Sequence, residues 1–155
     1  MDIAARPRMS APMAQDSDIV IVGGGLNGSA LALACARAGL TVTVVDRLAT
    51  DTRAEADFDG RSYALALASQ RLLSALGLWG ALAAQAQPIL DIKASDGRPG
   101  EGAAPFFLHF DHAEIEEGPM GFMVEDRFLR RALLAAIEGE ARITHRPGET
   151  VVAQE

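Results

Sequence analysis

Apolar residues first gather at Asp18-Ile-Val-Ile-Val22, a run that is β-branched on both faces. Such a run predicts a short central strand of a parallel sheet, covered from both sides. Glycines 23 to 25 end it. From Leu26 to Ala38 the chain is rich in Ala and Leu, which predicts a helix terminated by Gly39. Thr41-Val-Thr-Val-Val45 predicts a second strand, stopping at Asp46. Strand, helix and strand together make a βαβ unit of about 30 residues.

The pattern then loses its periodicity. Arg47 to Gly60 is polar and acidic and reads as a long loop, a type of segment that is often functional. Leu72, Leu73 and Leu76 fall at helical core spacing within a helix over about Ala66 to Leu76, interrupted at Gly77. Leu78-Trp79 is expected to cap that packing. Pro88 opens a strand over Ile89 to Ala94, and Asp96-Gly97 and Pro99-Gly100 mark turns. Phe106 to Phe110 and Gly121 to Val124 alternate like strands of an antiparallel piece. Asp126 is expected to cap a helix running to about Ile137. Ala141 to Thr144 and Thr150 to Ala153 read as final strands. The first 17 residues, with Pro7, Pro12, Arg6 and Arg8, read as a flexible leader, leaving residues 18–155 as the domain.

Composition narrows the function classes. The chain has 155 residues, 49% of them hydrophobic, which is enough for one domain with a real core. Its net charge of −7 argues against nucleic acid, whose phosphates require a basic face. Cys35 is the single cysteine, so no intrachain disulfide can form and a cytoplasmic setting is expected. No secretory signal is legible, and glycines, Asn27 and Arg37 break the longest apolar stretch before it could cross a membrane. His109, His112 and His145 show no metal-ligand spacing with carboxylates or Cys35, so no metal is expected. Cys35, mid-helix among Ala and Leu, reads as core.

Gly23-Gly-Gly25-Leu-Asn-Gly28 fits G-x-G-x-x-G at the place where that string has a physical meaning, between a strand and a helix. Gly23 would permit the tight turn, Gly25 would let a pyrophosphate approach the backbone, and Gly28 would let the helix pack on the strand. The helix N-terminus turns free N–H groups and partial positive charge towards phosphate. Asp46 lies 18 residues after Gly28, where a carboxylate can accept ribose hydroxyls and would repel a 2′-phosphate. This spacing suits FAD or NAD rather than NADP and does not separate the two.

Three segments resemble the FAD-dependent aromatic hydroxylases of ubiquinone biosynthesis, relatives of para-hydroxybenzoate hydroxylase. They are Asp18 to Gly28 continuing to Asp46-Arg47, then Asp59-Gly-Arg-Ser-Tyr-Ala-Leu-Ala-Leu-Ala-Ser-Gln-Arg-Leu-Leu through Trp79, then Gly121-Phe-Met-Val-Glu-Asp-Arg-Phe-Leu-Arg-Arg-Ala-Leu133. The resemblance implies an α/β fold: a Rossmann-like FAD-binding βαβ unit with a partial antiparallel β piece, incomplete relative to the family. It implies FAD held by Gly23, Gly25, Gly28 and Asp46, with Arg47 near the adenine and Arg61 and Arg127 near the flavin. Arginine suits this role, because it offers anions and polar rings a rigid fork of donors.

The activity implied is hydroxylation of an aromatic ubiquinone precursor, a polyprenylated phenol, with NAD(P)H and O2. No catalytic acid or base is identifiable. That substrate implies peripheral contact with the inner membrane; self-association or membership of a biosynthetic complex is also expected. Two other readings stay open: a fragment of an NAD-dependent dehydrogenase, and a non-catalytic remnant that binds nucleotides or a partner. The family is much longer, and its later flavin and NAD(P)H motifs are not found here, so the chain reads as an N-terminal part with little activity alone. A domain lacking its partner would expose apolar surface. Association or aggregation is therefore expected in size-exclusion chromatography, and a clean monomer that binds no hydrophobic dye would count against that expectation.

Overall fold

The computed structural model describes residues 17–55, 57–114 and 118–153. The leader expected over residues 1–17 lies outside them, except for Ser17. The elements in chain order are β1 (Ile19–Val22), α1 (Leu26–Arg37), β2 (Val42–Asp46), α2 (Thr50–Ala54), β3 (Ser62–Ala66), α3 (Leu67–Ala75), α4 (Trp79–Leu82), β4 (Gln87–Ile89), β5 (Asp91–Arg98), β6 (Gly102–Asp111), β7 (Gly121–Glu125), α5 (Asp126–Glu138) and β8 (Ile143–Pro147).

The expected βαβ unit is present. β1 pairs in parallel with β2, with Ile19 opposite Val42 and Val22 opposite Val45. On its other side β2 pairs in parallel with β8, Val42 opposite Ile143. The sheet order is therefore β1-β2-β8. This corrects the reading of β1 as the central strand. β2 is central and all five of its residues are buried, whereas Val20 and Val22 of β1 stand 60% and 67% exposed. The β-branched pattern of β1 marks a strand suited to burial, which the described residues supply on one face only.

A second sheet is antiparallel, in the order β3-β7-β4. Tyr63 lies opposite Val124 and Ala66 opposite Gly121. A side chain at Gly121 would begin 2.3 Å from the Leu65 carbonyl oxygen, so this ladder closes only on glycine. The third sheet is the hairpin β5–β6. Ile92, Phe106, Leu108 and Phe110 fall at alternate positions and all four are exposed, while Phe107, exposed on the opposite face, breaks the alternation.

Other expectations shift in detail. The long loop contains α2, β3 precedes the expected helix, and residues 150–153 carry no strand. Asp126 is the first residue of α5 rather than its cap, which is Glu125. The reason is competition: the Asp126 carboxylate accepts from Arg130 Nε at 2.5 Å, one helical turn on, and does not turn back to the helix amides.

Two cores flank α1. The larger joins Leu33 to Leu73, Leu76, Leu78 and Leu82, and to Leu129, Leu133 and Ile137 of α5. The smaller joins Ile21, Ala32, Val42 and Val44, with Cys35 half-buried at its margin. Trp79 meets Phe122 edge-on, ring centroids 4.9 Å apart, so it does seal the packing beside Leu78. Arg37 Nη2 donates to the Leu76 carbonyl at 2.8 Å and so closes the C-terminal end of α3 from the neighbouring helix.

α1 can sit on β1 only because residue 28 is glycine. A side chain there would begin 1.9 Å from the Gly23 carbonyl oxygen. Gly28→Ala is therefore expected to lower stability by at least ~1–3 kcal/mol, measured by chemical denaturation. A pH effect follows from the start of the sheet. The Thr41 amide and hydroxyl donate to Asp18 Oδ2 at 2.8 and 2.7 Å. These bonds, the backbone one foremost, hold the Asp18 carboxyl below its ordinary range. A lowered folded-state pKa adds stability above the unfolded-state value and loses it as pH falls through the folded-state value. Thermal melts of the parent chain and of Asp18→Asn are therefore expected to differ at neutral pH and to converge below about pH 4.

Candidate functional site: a cleft at the glycine turn

The turn between β1 and α1 opens onto a cleft of about 860 Å³. That volume lies within the range of about 300–1,000 Å³ common for ligand sites. Gly23, Gly25 and Gly28 all line it, as predicted positions of one turn should. Gly23 has φ +105°, a conformation that side chains avoid. Gly25 differs. Its φ is −69°, and a side chain built there would meet nothing nearer than Arg53 Nη1 at 3.8 Å. The fold leaves room for a side chain at this position, so packing alone does not require glycine here. Gly25 also ends α1 without a side-chain cap, which leaves the first amides of the helix to a ligand.

Gly24 was not singled out in the sequence, where it is the variable position of the motif. Here it is sterically fixed: a side chain would begin 2.7 Å from Asp46 Oδ2. The Gly24 amide donates to that same oxygen at 3.1 Å. Only the contact with Asp46 reveals this, and the motif spacing, which includes Asp46, does not show that contact.

Asp46 is buried at the end of β2 and is not among the residues lining the cleft. Its Oδ1 accepts the Leu48 amide at 3.0 Å. Its Oδ2 accepts Arg53 Nε at 2.8 Å, with Arg53 Nη2 at 2.5 Å. Arg53, from α2, does line the cleft. Sequence reasoning missed it because the loop around it carries no pattern.

The far wall comes from two segments distant in sequence. The ladder that sets Ser62 opposite Glu125 also brings Arg61 to Asp126, both of which line the cleft. The Asp126 amide donates to the Arg61 carbonyl at 3.0 Å, and Arg61 Nη2 lies 3.2 Å from Asp126 Oδ2. Arg61 also forks onto Asp59, with Nε at 2.8 Å. That side-chain hydrogen bond holds the Asp59 carboxyl below its ordinary range and the Arg61 guanidinium above its own. Arg130 extends the network by donating to the Arg53 carbonyl at 3.0 Å.

Arg47 and Arg127 are not among the cleft-lining residues. Arg47 is exposed just after β2. Arg127 donates to Glu125 Oε2 at 2.6 Å and stacks over Phe128 and Phe58, 4.7 and 5.7 Å from their ring centroids. Away from the cleft, the hairpin brings Asp91, His109 and Asp111 together, with ligand atoms within 4.8 Å of one another. Cross-strand register makes this grouping, so residue spacing did not show it. His109 Nε2 pairs with Asp91 Oδ1 at 2.6 Å, an interaction that lowers the Asp91 carboxyl.

The comparisons with known proteins separate the cofactors that spacing left open. Residues 16–143 match the FAD binding domain family. The chain is 45% identical over 137 residues to ubiquinone hydroxylase UbiL of Rhodospirillum rubrum, covering 88% of this chain and 29% of that protein. It is 34% identical over 140 residues to the 3-demethoxyubiquinol 3-hydroxylase of Escherichia coli, covering 88% of this chain and 34% of that one. The fold is similar to that of p-nitrophenol 4-monooxygenase PnpA from Pseudomonas putida, with a TM-score of 0.61 and 16% identity over 84% of this chain and 31% of that one. The chain thus spans about a third of the length of these relatives. The sequence match decides between the two cofactors: the chain belongs to the FAD binding domain family, and FAD is the dinucleotide of that family.

Proposed function

We propose that this chain is the FAD-holding portion of a flavin monooxygenase that hydroxylates an aromatic ubiquinone precursor, a polyprenylated phenol, using NAD(P)H and O2. The observation that carries the reading is the joining of the three sequence segments at one cleft. The glycine turn forms one wall, and Arg61 and Asp126 form the other. The relatives named as ubiquinone hydroxylases supply the substrate class.

In this reading Gly23 and Gly28 fix the shape of the turn, and Gly25 admits the pyrophosphate to the amides of α1. Asp46 serves the adenosine ribose, Arg47 the adenine edge, and Arg61 the flavin end. Arg127 acts from outside the cleft. Its stacking on Phe58 ties down the loop that leads into Asp59 and Arg61. Bound FAD supplies the redox chemistry, taking electrons from NAD(P)H and activating O2. The protein's share is to bind, orient and exclude water. A prenylated substrate resides in a membrane, so access to it is proposed to be peripheral; no described helix is long and apolar enough to cross a membrane.

Titration of the purified chain with FAD, followed by flavin fluorescence, tests the reading, with NAD as a parallel control. Saturable FAD binding is expected. Gly25→Val is expected to weaken it at least tenfold, about 1.4 kcal/mol, while the melting temperature moves little. A folded chain that ignores FAD and binds NAD would overturn the reading.

A further inference from the structure

We propose that Arg53 is a latch on Asp46, which a diphosphate opens by drawing the guanidinium to itself. The proposal rests on reading the glycine cleft as a dinucleotide site.

The geometry places Arg53 between the cleft and the carboxylate. Arg53 lines the cleft and Asp46 does not. The Asp46 side chain is only 4% exposed and that of Arg53 19%. Oδ2 of Asp46 already takes three donors: the Gly24 amide, Arg53 Nε and Arg53 Nη2. Oδ1 takes the Leu48 amide. A carboxylate oxygen offers two lone pairs, so Oδ2 has none to spare. A ribose hydroxyl entering the cleft therefore meets the guanidinium before it meets Asp46.

The same guanidinium lies beside the phosphate turn. Both its terminal nitrogens lie 3.8–3.9 Å from the point where a Gly25 side chain would start. A short swing would carry it from carboxylate to diphosphate. The backbone would not follow, because Arg130 Nη1 holds the Arg53 carbonyl at 3.0 Å and Arg130 Nε is itself tied to Asp126 at 2.5 Å.

The exchange balances. Arg53 trades one anion for another, and Asp46 keeps both of its amide donors while ribose hydroxyls replace the guanidinium. A ligand with ribose alone must open the latch with nothing to receive the arginine. A ligand with ribose and diphosphate supplies both halves. The latch thus favours nucleoside diphosphates over nucleosides by more than the phosphate–helix attraction alone.

The test uses the 155-residue chain, with adenosine, ADP and FAD as probes in calorimetric titrations. The Arg53 Nε–H resonance, assigned by its loss in Arg53→Lys, gives a second readout. In the ligand-free chain this resonance is expected to be protected from exchange, to shift on saturation with ADP, and to stay in place with adenosine. Arg53→Ala is expected to weaken ADP and FAD about tenfold or more and to leave adenosine unchanged or tighter. Asp46→Asn keeps the site's shape but loosens the arginine, and is expected to tighten inorganic pyrophosphate. An Nε–H resonance that is unprotected, or unmoved by saturating ADP, would overturn the latch even if Arg53→Ala fails to fold. A parent chain that binds no ADP would overturn it as well. ADP binding with the expected Arg53 effects but no FAD binding would keep the latch and sink the flavin reading. FAD binding indifferent to Arg53 would do the reverse.

Discussion

The approach of α1 to β1 is the contact on which the remaining architecture depends. Where Gly28 faces the Gly23 carbonyl, only a hydrogen fits. That closeness seats α1 over the sheet, so that Ala32 packs on one core and Leu33 on the other. It also points the open end of the helix into the cleft. A larger residue would lift the helix, part the two cores and turn the amides away together. Small side chains on α1 continue the same logic: Ala32 and Ala36 are buried where a bulkier residue would hold the layers apart.

Charge organises the rim of the cleft as closely as sterics organise its floor. Asp46, Arg53, Arg130, Asp126, Arg61 and Asp59 are linked by ion pairs or through a backbone carbonyl. Asp46 and Asp126 are buried, and burial of a carboxylate is costly unless it is paired and hydrogen-bonded. Among the described residues no buried side-chain polar atom lacks a partner. The buried side chains at the site are therefore already paired before any ligand arrives, and the uncapped amides of α1 are the groups left open. A dinucleotide would enter by exchanging hydrogen bonds rather than by filling a dry pocket.

What could be read from the sequence was what is local. β1, α1 and β2 follow from residue type and spacing, and so do the three glycines of the turn. The roles of Gly24 and Arg53 were illegible, because both depend on the side chain of Asp46, across the sheet from one and a turn of loop from the other. β3 falls between the expected loop and the expected helix, where no element was predicted, since Ser62 to Ala66 becomes a strand only by pairing with β7. The central place assigned to β1 failed for a related reason: a sequence can state that a strand tolerates burial but not which neighbours provide it. Asp126 had the composition of a cap, and Arg130 one turn later claimed its carboxylate.

The contact between Trp79 and Phe122 carries a spectroscopic consequence. The chain has one tryptophan, and it is lodged against the larger core. Its ultraviolet emission therefore reports on that half of the molecule, where α3, α4, α5 and β7 meet. Loosening of the smaller core beneath the glycine turn would leave this signal nearly unchanged while the parallel sheet came apart. The protein has its one tryptophan on one side of α1 and none on the other, so an unfolding that begins at the glycine turn would be dark to its emission until it crossed the helix.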